Sequence, residues 1–384
     1  MRALGIINFE NSNVNIGGLD DYRPAPAIAF LGRYRIIDFI LSNYTNSGID
    51  NVQVYCKEKP RNLIEHLGSG SHYNINSKRG KLRILYGEKS FSSPVYNHDV
   101  ANYMLNMQYI EEDTNPYVII APSYFVYSLD FSTVLQTHIE SHADITALYT
   151  STNDAKVQFL GCDTLEMDKD KKVTGISTNR GKKKANTISL EAYVMTKKLF
   201  IDLVKKAAET SSLYWLKDII ADSVEELDIR GYQVRGYVAG VTSASEYFRI
   251  NMELRDRNVA KGLFKPGWPI YTQTNDSAPT TYATGSCVKG SVVANGCSIE
   301  GEVTDSVISR NVTVRKGAIV KDSIILPGAY IGENVKLDHV IVDKYAIIHH
   351  VKALTGTDEE PVYVKRRDRI GGILHGKINF IRCQ

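Results

Sequence analysis

The first 255 residues alternate short apolar runs with segments of helical periodicity. The apolar runs predict buried β-strands at Ala3–Ile7, Asn51–Tyr55, Tyr117–Ala121 and Ile145–Tyr149. Between the last two runs, Phe131–Ser141 carries Val134, Leu135 and Ile139 on one face, which predicts a helix. Buried strands that alternate with helices indicate an α/β fold, with a mostly parallel sheet covered on both faces. Ligands of such sheets bind beyond the carboxyl ends of the strands.

The pattern changes near residue 284, where aliphatic residues recur every six positions. Three such series overlap: Ile308, Val314, Val320 and Leu326; Ile319, Ile325, Ile331 and Leu337; Ala329, Val335, Ile341 and Ile347. This period predicts a hexapeptide-repeat β-helix, in which each face of a triangular coil contributes one inward aliphatic side chain. Stacked coils then bury a continuous core. A sandwich of short strands would instead show a period of two.

These patterns divide the chain into three segments. Residues 1–255 form the α/β domain, residues 256–283 an extended linker that contains several prolines, and residues 284–384 the β-helix with a C-terminal tail. The tail holds a basic run at 365–369 that could meet an anion, although most such runs are simply solvated.

The composition is that of an ordinary globular protein, with 43% hydrophobic and 23% charged residues among 384. A net charge of +3 is too small to argue for nucleic acid or a membrane as partner. The N-terminus does not resemble a signal peptide, and no apolar run is long enough to span a membrane. Five scattered cysteines suit reduced thiols, so we expect a cytoplasmic protein. Cys287 and Cys297 are expected to be small buried side chains rather than metal ligands.

One segment resembles a known family closely. Gly32–Ile49 reads GRYRIIDFILSNYTNSGI, similar to the GGKYRIIDF-x-LSN-x-x-NSGI signature of bacterial glucose-1-phosphate adenylyltransferases. Weaker matches follow in the family's order at 211–220, 236–252 and 267–272, so the resemblance spans essentially the whole chain. It implies a Rossmann-like nucleotidyltransferase domain followed by a left-handed hexapeptide-repeat β-helix. The family converts ATP and glucose 1-phosphate to ADP-glucose and diphosphate.

The departures from this family fall on the groups that handle phosphate. Family members end the first strand with LAGGxGTRL, whose glycines let main-chain N–H groups approach the triphosphate. Here the same stretch is Ile6–Asn11, in which Phe9 and Glu10 stand where phosphate oxygens would lie. The lysine of the family's A-K-P-A element, which offsets phosphate charge, corresponds to Ala25.

The resemblance also places the family's two magnesium-binding aspartates on residues that cannot replace them. The aspartate of the (A/S)GDH turn corresponds to Ser123, and the aspartate of DVGT corresponds to Gly240. Mg²⁺ prefers carboxylate oxygens, which a serine hydroxyl replaces weakly and a glycine not at all. We therefore expect this chain to bind no metal and no cofactor of its own.

Two further family elements are missing. The G-T-A-D-A segment near the adenine aligns with His98–Asn102. The E-K-P lysine that binds the sugar phosphate has no counterpart in Ser177–Gly181, although Lys182–Lys184 lie just beyond. Losing one such group typically costs about 10² or more in rate. The pattern resembles the GlgD-type regulatory subunits of the family, which accompany an active subunit. It implies a hetero-oligomer in glycogen biosynthesis, a tetramer by family likeness, in which the partner subunit uses Mg²⁺ and ATP.

Two arginines are candidates for binding a phosphorylated effector. Arg23 lies just before the Ala25 position, and Arg35 belongs to the YRIIDF match. In relatives, both positions are associated with phosphorylated effectors near the junction of the two domains, and guanidinium groups suit phosphate geometry. Arg35 could equally be a structural partner of Asp38.

Two other functions stay open on the sequence. The chain could be an active sugar-1-phosphate nucleotidyltransferase with an unusual phosphate loop. It could also be a hexapeptide acyltransferase with His339, His349 or His350 as the base, since this β-helix also serves acyl transfer. A histidine in such repeats is more often structural, and fold alone does not determine function.

Overall fold

The apolar runs of the N-terminal domain form mostly buried strands. The computed structural model describes residues 2–11, 13–75, 78, 80–87 and 97–371. Its strands here are β1 (Ala3–Asn8), β2 (Ala29–Phe30), β3 (Tyr34–Arg35), β4 (Asn51–Cys56), β5 (Lys81–Tyr86), β6 (Tyr117–Pro122), β7 (Phe125–Tyr127), β8 (Ile145–Thr152), β9 (Asp163–Met167), β10 (Val173–Thr178), β11 (Asn186–Thr196), β12 (Ile229–Gln233) and β13 (Val238–Gly240). The four predicted strands are confirmed as β1, β4, β6 and β8, each ending slightly later than predicted.

Most strands of the main sheet run in the same direction. Its order is β10-β9-β11-β6-β1-β4-β5, and β8 pairs with both β11 and β12. β1 lies between β4 and β6 and runs parallel to both, with Gly5 opposite Val52 and Ile119. β11 is antiparallel to β6 and to β8. The mostly parallel sheet is therefore confirmed, with β11 as a reversed strand near its centre.

Helices cover both faces of this sheet. They are α1 (Ile37–Asn46), α2 (Arg61–Leu67), α3 (Asp99–Leu105), α4 (Met107–Glu111), α5 (Phe131–Ser141), α6 (Lys197–Thr210), α7 (Leu216–Asp222), α8 (Ala244–Glu253) and α9 (Arg257–Ala260), with 3-10 turns at Ala25–Ala27 and Ser71–Tyr73. α1, α2 and α5 pack on one face, and α3, α4, α6 and α7 on the other. The predicted helix is confirmed as α5, which Asp130 caps by accepting the N–H of Ser132. No helix in the described residues has the length and hydrophobicity to cross a membrane.

The C-terminal domain is a β-helix with three parallel sheets. The first holds β14 (Thr281–Tyr282), β17 (Ser298–Ile299), β20 (Thr313–Val314), β23 (Tyr330–Ile331), β26 (Ile347–Ile348) and β29 (Arg369–Ile370). The second holds β15 (Cys287–Lys289), β18 (Glu302–Thr304), β21 (Ile319–Lys321), β24 (Lys336–Asp338) and β27 (Ala353–Thr355). The third holds β16 (Val292–Val293), β19 (Val307–Ile308), β22 (Ile324–Ile325), β25 (Val340–Val342) and β28 (Val362–Val364). The hexapeptide β-helix is confirmed.

One corner of the central coils is a residue shorter than the six-residue period requires. Paired residues of these coils lie 17 positions apart, as Val320 and Leu337 do, one short of three full repeats. Val320 and Ile325 both face the interior of the β-helix, although only five positions separate them. The inward positions therefore shift by one residue at this corner of each coil.

Part of the predicted core faces outward as a result. Leu326 and Ile341 pack against the N-terminal domain, whereas Ile319 and Ile347 are half-buried on outer faces. The prediction placed these four side chains in the interior and was wrong, because it continued the six-residue period through the corner that is one residue short. Most of the other predicted core positions fill the interior, Ile325 among them.

Only one of the two cysteines in the first coils is buried as predicted. Cys297 is 2% exposed, and its thiol donates to the carbonyl of Ser309 (3.1 Å). Cys287 is exposed because it alternates along β15 with Val288, which packs against the interior. The prediction of a buried side chain was wrong for Cys287.

The segment 256–283 stays close to the N-terminal domain. It contains α9 near its start and β14, the first strand of the β-helix, near its end. The indole N–H of Trp268 donates to Asn43 Oδ1 (3.0 Å), and the Tyr271 N–H donates to Ser42 Oγ (2.8 Å). Both acceptors belong to α1, so this segment is tied to the domain that it leaves.

An apolar seam joins the two domains. The outer face of the third β-helix sheet is buried through Val307, Ile324 and Ile341. These side chains pack in one cluster with aromatic residues of the N-terminal domain, among them Phe39 and Phe248. Because the seam is buried from both sides, it holds the β-helix in one position beside the N-terminal domain.

The short corner leads to a prediction for two isoleucines that lie six residues apart. Ile325→Ala should lower the free energy of unfolding by about 2–5 kcal/mol, because it opens a cavity in a closed core. Ile319→Ala should cost roughly half as much or less, because that side chain is half-buried on the outer face. Urea unfolding of wild type and both variants measures the two losses. Equal losses would mean that the six-residue period continues through the corner.

Candidate functional site

The loop after β1 fills the cleft at the carboxyl ends of the strands, where the family's phosphate loop was expected. β1 ends at Asn8, opposite the carboxyl end of β6 at Pro122. Phe9 follows with 1% of its surface exposed, and its ring lies 5.8 Å from that of Trp215 in an edge-to-face contact. The phenylalanine therefore closes the space between the end of β1 and the start of α7.

Hydrogen bonds to a buried carboxyl group tie this loop to two helices. Asn8 Nδ2 donates to Asp99 Oδ2 (2.9 Å), and the N–H groups of Val100 and Leu216 donate to Asp99 Oδ1 at 2.8 and 3.1 Å. Burial raises the pKa of Asp99 to about 7. Asp99 belongs to the segment aligned with the family's adenine contact, and here it is committed to the chain's own groups.

An ion-pair network crosses the cleft beside Phe9. Lys217 Nζ lies 2.8 Å from Asp163 Oδ2 and 3.8 Å from Glu191 Oε1. Although burial lowers it, these two carboxylates hold the pKa of Lys217 above its ordinary value. Asn11 Nδ2 donates to the same Glu191 oxygen at 2.7 Å. The network thus joins the loop after β1 to β9, β11 and α7, and leaves Lys217 no free charge for a phosphate.

Little space remains between these groups. A cavity of about 10 Å³ is enclosed by the side chains that line the cleft, with Phe9, Asp99, Glu191, Trp215 and Lys217 among them. That volume holds about one water molecule, whereas nucleotide-sized ligands occupy pockets of about 300–1,000 Å³. Between these described side chains there is therefore no room for a nucleotide.

The two positions of the family's magnesium ligands offer no carboxylate and no room for one. Ser123 is 1% exposed, and its hydroxyl has no hydrogen-bond partner among the described residues. Gly240 pairs with Phe125 across β13 and β7, and a Cβ at Gly240 would lie 2.9 Å from the Phe125 ring. An aspartate at 240 would have to displace that ring. The residues present therefore do not fit a magnesium ion.

A carboxyl group, rather than a cation, lies beside the position of the family lysine. Ala25 is fully buried at the start of its 3-10 turn. Burial raises the pKa of Glu10, and hydrogen bonds from the main-chain N–H groups of Glu10 and Ala25 oppose the rise. Glu10 Oε2 has no hydrogen-bond partner in the described part of the chain. This side of the cleft therefore presents a carboxyl group, on which the positive charge of Lys57 acts, where family members place a lysine.

Arg23 lies buried at the junction of the two domains. Its Nη2 donates to Asp343 Oδ1 at 2.7 Å, with side-chain exposures of 2% and 0%. Asp343 directly follows β25 and also accepts the hydroxyl of Tyr363 (2.8 Å). Arg23 Nε has no hydrogen-bond partner among the described residues. The ion pair is structural, and binding of an effector by Arg23 stays a prediction.

Arg35 does not pair with Asp38 through its side chain. Its Nη1 donates to the carbonyl of Asn62 at 2.7 Å, and only its main-chain N–H donates to Asp38 Oδ2 (2.8 Å). Asp38 Oδ1 instead accepts from the Tyr73 hydroxyl (2.7 Å) and lies 2.6 Å from His66 Nε2. Burial lowers the pKa of Arg35, and the negative charge of Asp38 opposes this change. The side-chain ion pair considered as the structural role of Arg35 is not formed.

Two further cations, Lys344 and Arg366, lie beside these arginines. Burial, followed by the positive charges of Arg35, Arg23 and Arg366, lowers the pKa of Lys344 to about 7. Arg366 Nε is buried without a hydrogen-bond partner among the described residues. Uncompensated positive charge of this kind is stabilised when an anion binds. The basic run at 365–369 pointed to Arg366, whereas no sequence pattern pointed to Lys344.

His339, a candidate base for acyl transfer, has both ring nitrogens beside carboxylates. Its Nδ1 lies 2.6 Å from Asp338 Oδ1, and its Nε2 lies 3.2 Å from Asp358 Oδ1. Asp322, Asp338 and His339 also place potential metal-ligating atoms within 4.8 Å of one another. Lys321 already makes ion pairs with both of these aspartates. This group is therefore balanced by a cation of the chain itself.

The filled cleft predicts that the chain does not bind ATP. Titration calorimetry with ATP and Mg²⁺ should give no saturable heat up to about 1 mM, the upper end of ordinary substrate affinities. Ser123→Asp combined with Gly240→Asp should not restore binding, because Phe9 and Glu10 still occupy the phosphate loop. An active adenylyltransferase measured in the same buffer is the positive control. Saturable binding to the wild-type chain would show that the cleft opens.

Both domains match known families in the order found along the chain. Residues 19–256 match the nucleotidyl transferase family, and residues 279–363 match the GlmU-like C-terminal hexapeptide family. The chain is 30% identical over 383 residues to the glycogen biosynthesis protein GlgD of Bacillus subtilis, covering 98% of each. It is 36% identical over 320 residues to GlgD of Geobacillus stearothermophilus, covering 83% of each.

A catalytic relative is nearly as similar. The glucose-1-phosphate adenylyltransferase of Fervidobacterium nodosum is 29% identical over 350 residues, which cover 90% of this chain and 84% of that enzyme. The family match covers more than half of the chain, and the likeness to GlgD extends over almost all of it. This protein therefore belongs to the nucleotidyl transferase family, as a GlgD-like member related to the glucose-1-phosphate adenylyltransferases.

Proposed function

We propose that this chain is the non-catalytic, regulatory subunit of a bacterial glucose-1-phosphate adenylyltransferase. Its partner is an active subunit that uses Mg²⁺ and converts ATP and glucose 1-phosphate to ADP-glucose and diphosphate for glycogen biosynthesis in the cytoplasm. The likeness to two proteins named for glycogen biosynthesis and to an adenylyltransferase supports this placement.

The filled cleft is the observation that carries the proposal. Phe9, Trp215 and the network around Lys217 leave about 10 Å³ where a nucleotide would bind. Phosphoryl transfer depends on positioning and on stabilising negative charge. The described side chains leave too little room between them for the first, and Lys217, the cation among them, already pairs with Asp163 and Glu191.

An active enzyme with an unusual phosphate loop is the alternative, and the charges of the cleft oppose it. Glu10, Asp99 and Glu191 place three buried carboxyl groups around the space that a triphosphate would occupy. Lys217, the cation between them, already pairs with Asp163 and Glu191. A triphosphate would therefore meet carboxyl groups and an already paired lysine where family members place phosphate-binding groups.

The cationic junction supports binding of a phosphorylated metabolite as effector. Arg23, Arg35, Lys344 and Arg366 interact electrostatically there, and Asp343 compensates for one of these charges. Arg23 and Arg35 belong to the N-terminal domain, whereas Lys344 and Arg366 belong to the β-helix, so an anion bound among them would contact both domains. An effector that binds one arrangement of the subunits better shifts the whole assembly toward it, even when this subunit catalyses nothing.

The open end of the β-helix supports assembly with the partner. β14, β15 and β16 are the terminal strands of the three sheets, and each pairs on one side only. Unpaired strand edges favour association with another chain. We therefore expect a mixed tetramer with the catalytic subunit.

The regulatory role predicts a contrast between the chain alone and the complex. The purified chain should show at least about a thousandfold less pyrophosphorylase activity than a catalytic relative. Co-expressed with the catalytic subunit of its own bacterium, it should sediment in a mixed complex and change that subunit's response to substrate or sugar phosphates.

Arg35→Ala should shift the saturation curves of the complex for substrate or sugar phosphates, while the complex stays assembled and its thermal melt is unchanged. Separate species on sedimentation would contradict the mixed complex. Unchanged saturation curves for every sugar phosphate would contradict the role of Arg35.

The low pKa of Lys344 predicts that anion binding is linked to proton uptake. Because the folded-state pKa of about 7 is below the ordinary lysine value of about 10.4, stability falls as the pH drops from about 10 to 7. A bound anion stabilises the ammonium form, so binding at pH 8 should take up a proton. Calorimetry with inorganic phosphate in buffers of different ionisation enthalpy measures this uptake. Lys344→Gln should abolish the proton uptake. Lys198→Gln, which replaces an exposed lysine elsewhere in the chain, should leave the uptake unchanged. The same uptake in the Lys344→Gln variant would assign the proton to another group.

A further inference from the structure

Two loops beside the filled cleft are joined into one rigid surface. The Ala155 N–H donates to the Lys184 carbonyl (2.9 Å), and the Gly161 N–H donates to the Asn179 carbonyl (3.0 Å). Asn179 is 2% exposed, and its side-chain amide donates to the carbonyls of Ala155 (2.9 Å) and Phe159 (3.0 Å). One buried amide thus holds segments 155–161 and 179–184 together.

Phe159 anchors this surface and forces its neighbours outward. Its side chain is 3% exposed and stacks on Phe125 with ring centres 6.4 Å apart. Its φ of 55° lies in the left-handed region, which turns the chain sharply at that point. Val157 is 68% exposed and Leu160 is 46% exposed as a result. The two aliphatic side chains are therefore held toward solvent by a packed loop.

Five cations surround these two side chains. Lys156, Arg180 and Lys182–Lys184 are all exposed, and segments 155–161 and 179–184 contain no acidic residue. None of the five belongs to an ion pair of the described residues. Leu160 lies against the backbone of Gly181, between the two groups of cations. We call these five cations with Val157 and Leu160 the basic-apolar surface.

The composition of this surface favours an acidic protein segment over other anionic partners. Single-stranded nucleic acid is held by aromatic stacking as well as charge, and the basic-apolar surface has no aromatic side chain that is exposed. Lasting membrane attachment needs a larger apolar face than one valine and one leucine. A protein segment can both cover two aliphatic side chains and place carboxylates opposite the cations.

We propose that the basic-apolar surface is a docking site for an acidic, apolar segment of a protein partner. Apolar side chains of that segment cover Val157 and Leu160, while its carboxylates pair with the surrounding cations. Asn13 Nδ2 donates to the carbonyl of Gly161 (3.1 Å), so the surface is connected to the loop that fills the cleft. The segment that in catalytic relatives carries the sugar-phosphate lysine thus becomes a contact surface here. The proposal does not depend on the regulatory role.

Two synthetic peptides of equal charge test the docking site. Both are rich in glutamate, and one carries two leucines where the other carries two serines. The leucine peptide should bind the wild-type chain about tenfold more tightly than the serine peptide, because it buries Val157 and Leu160. Val157→Ser with Leu160→Ser should abolish that preference. Lys182→Glu with Lys183→Glu should lower the association rate of both peptides and reduce its dependence on salt.

Matched variants and other anions make the test decisive. Leu213→Ser changes an exposed leucine outside the surface, and Lys169→Glu with Lys198→Glu reverses two exposed lysines elsewhere. Both controls should behave as wild type, and all variants should melt as wild type does. Equal affinity for the two peptides would overturn the proposal. Tighter binding to anionic vesicles or to single-stranded RNA than to the leucine peptide would overturn it as well.

The catalytic subunit provides a second, separate measurement. If it binds the wild-type chain, Val157→Ser with Leu160→Ser should weaken that complex about tenfold. An unchanged complex would exclude this surface from the subunit interface and leave the regulatory role intact. If no complex forms at all, the regulatory role fails, and the peptide comparison still decides the docking site.

Discussion

A buried ion pair joins the two domains and organises the junction between them. Arg23 Nη2 and Asp343 Oδ1 lie 2.7 Å apart with almost no exposure, in contact with the apolar seam. Removing one partner of such a pair typically costs about 3–5 kcal/mol, because the other charge stays buried alone. Asp343 offsets the charge of Arg23, and the negative charge of Asp38 acts on Arg35, while burial and then the positive charges of Arg35, Arg23 and Arg366 lower the pKa of Lys344. The ion pair that joins the domains therefore lies among several cations.

The filled cleft and the cationic junction are two separate parts of the chain with different contacts. In the cleft, Phe9 packs against Trp215 and Lys217 pairs with Asp163. At the junction, burial lowers the pKa of Lys344, and Arg366 Nε has no hydrogen-bond partner among the described residues. The cleft is thus filled by contacts of the chain with itself, whereas the junction gathers cations from both domains. The proposed loss of catalysis with retained effector binding rests on this contrast.

Local periodicity predicted the elements of the fold well and the direction of some side chains poorly. The strands around Ala3–Asn8 and the helix Phe131–Ser141 follow directly from their apolar spacing. The β-helix also follows from its period, yet Leu326 and Ile341 face the other domain. A corner that is one residue short moves the inward-facing positions after it by one residue. The sequence does not reveal this change, because the residues that then face outward are also aliphatic. These outward residues are aliphatic because the N-terminal domain covers them. The six-residue period of the β-helix carries no information about that contact.

The sequence alone determined the family, the order of the domains and the loss of the phosphate loop, since these depend on which residues occupy matched positions. Only the tertiary structure decided where the remaining charges lie. Arg23 pairs with Asp343 across 320 residues of sequence, and Lys344 acquires its low pKa from cations of both domains. The cleft likewise becomes filled only when Trp215 meets Phe9. Burial and electrostatic interaction depend on distance in space, and residues far apart in sequence come close only through the fold.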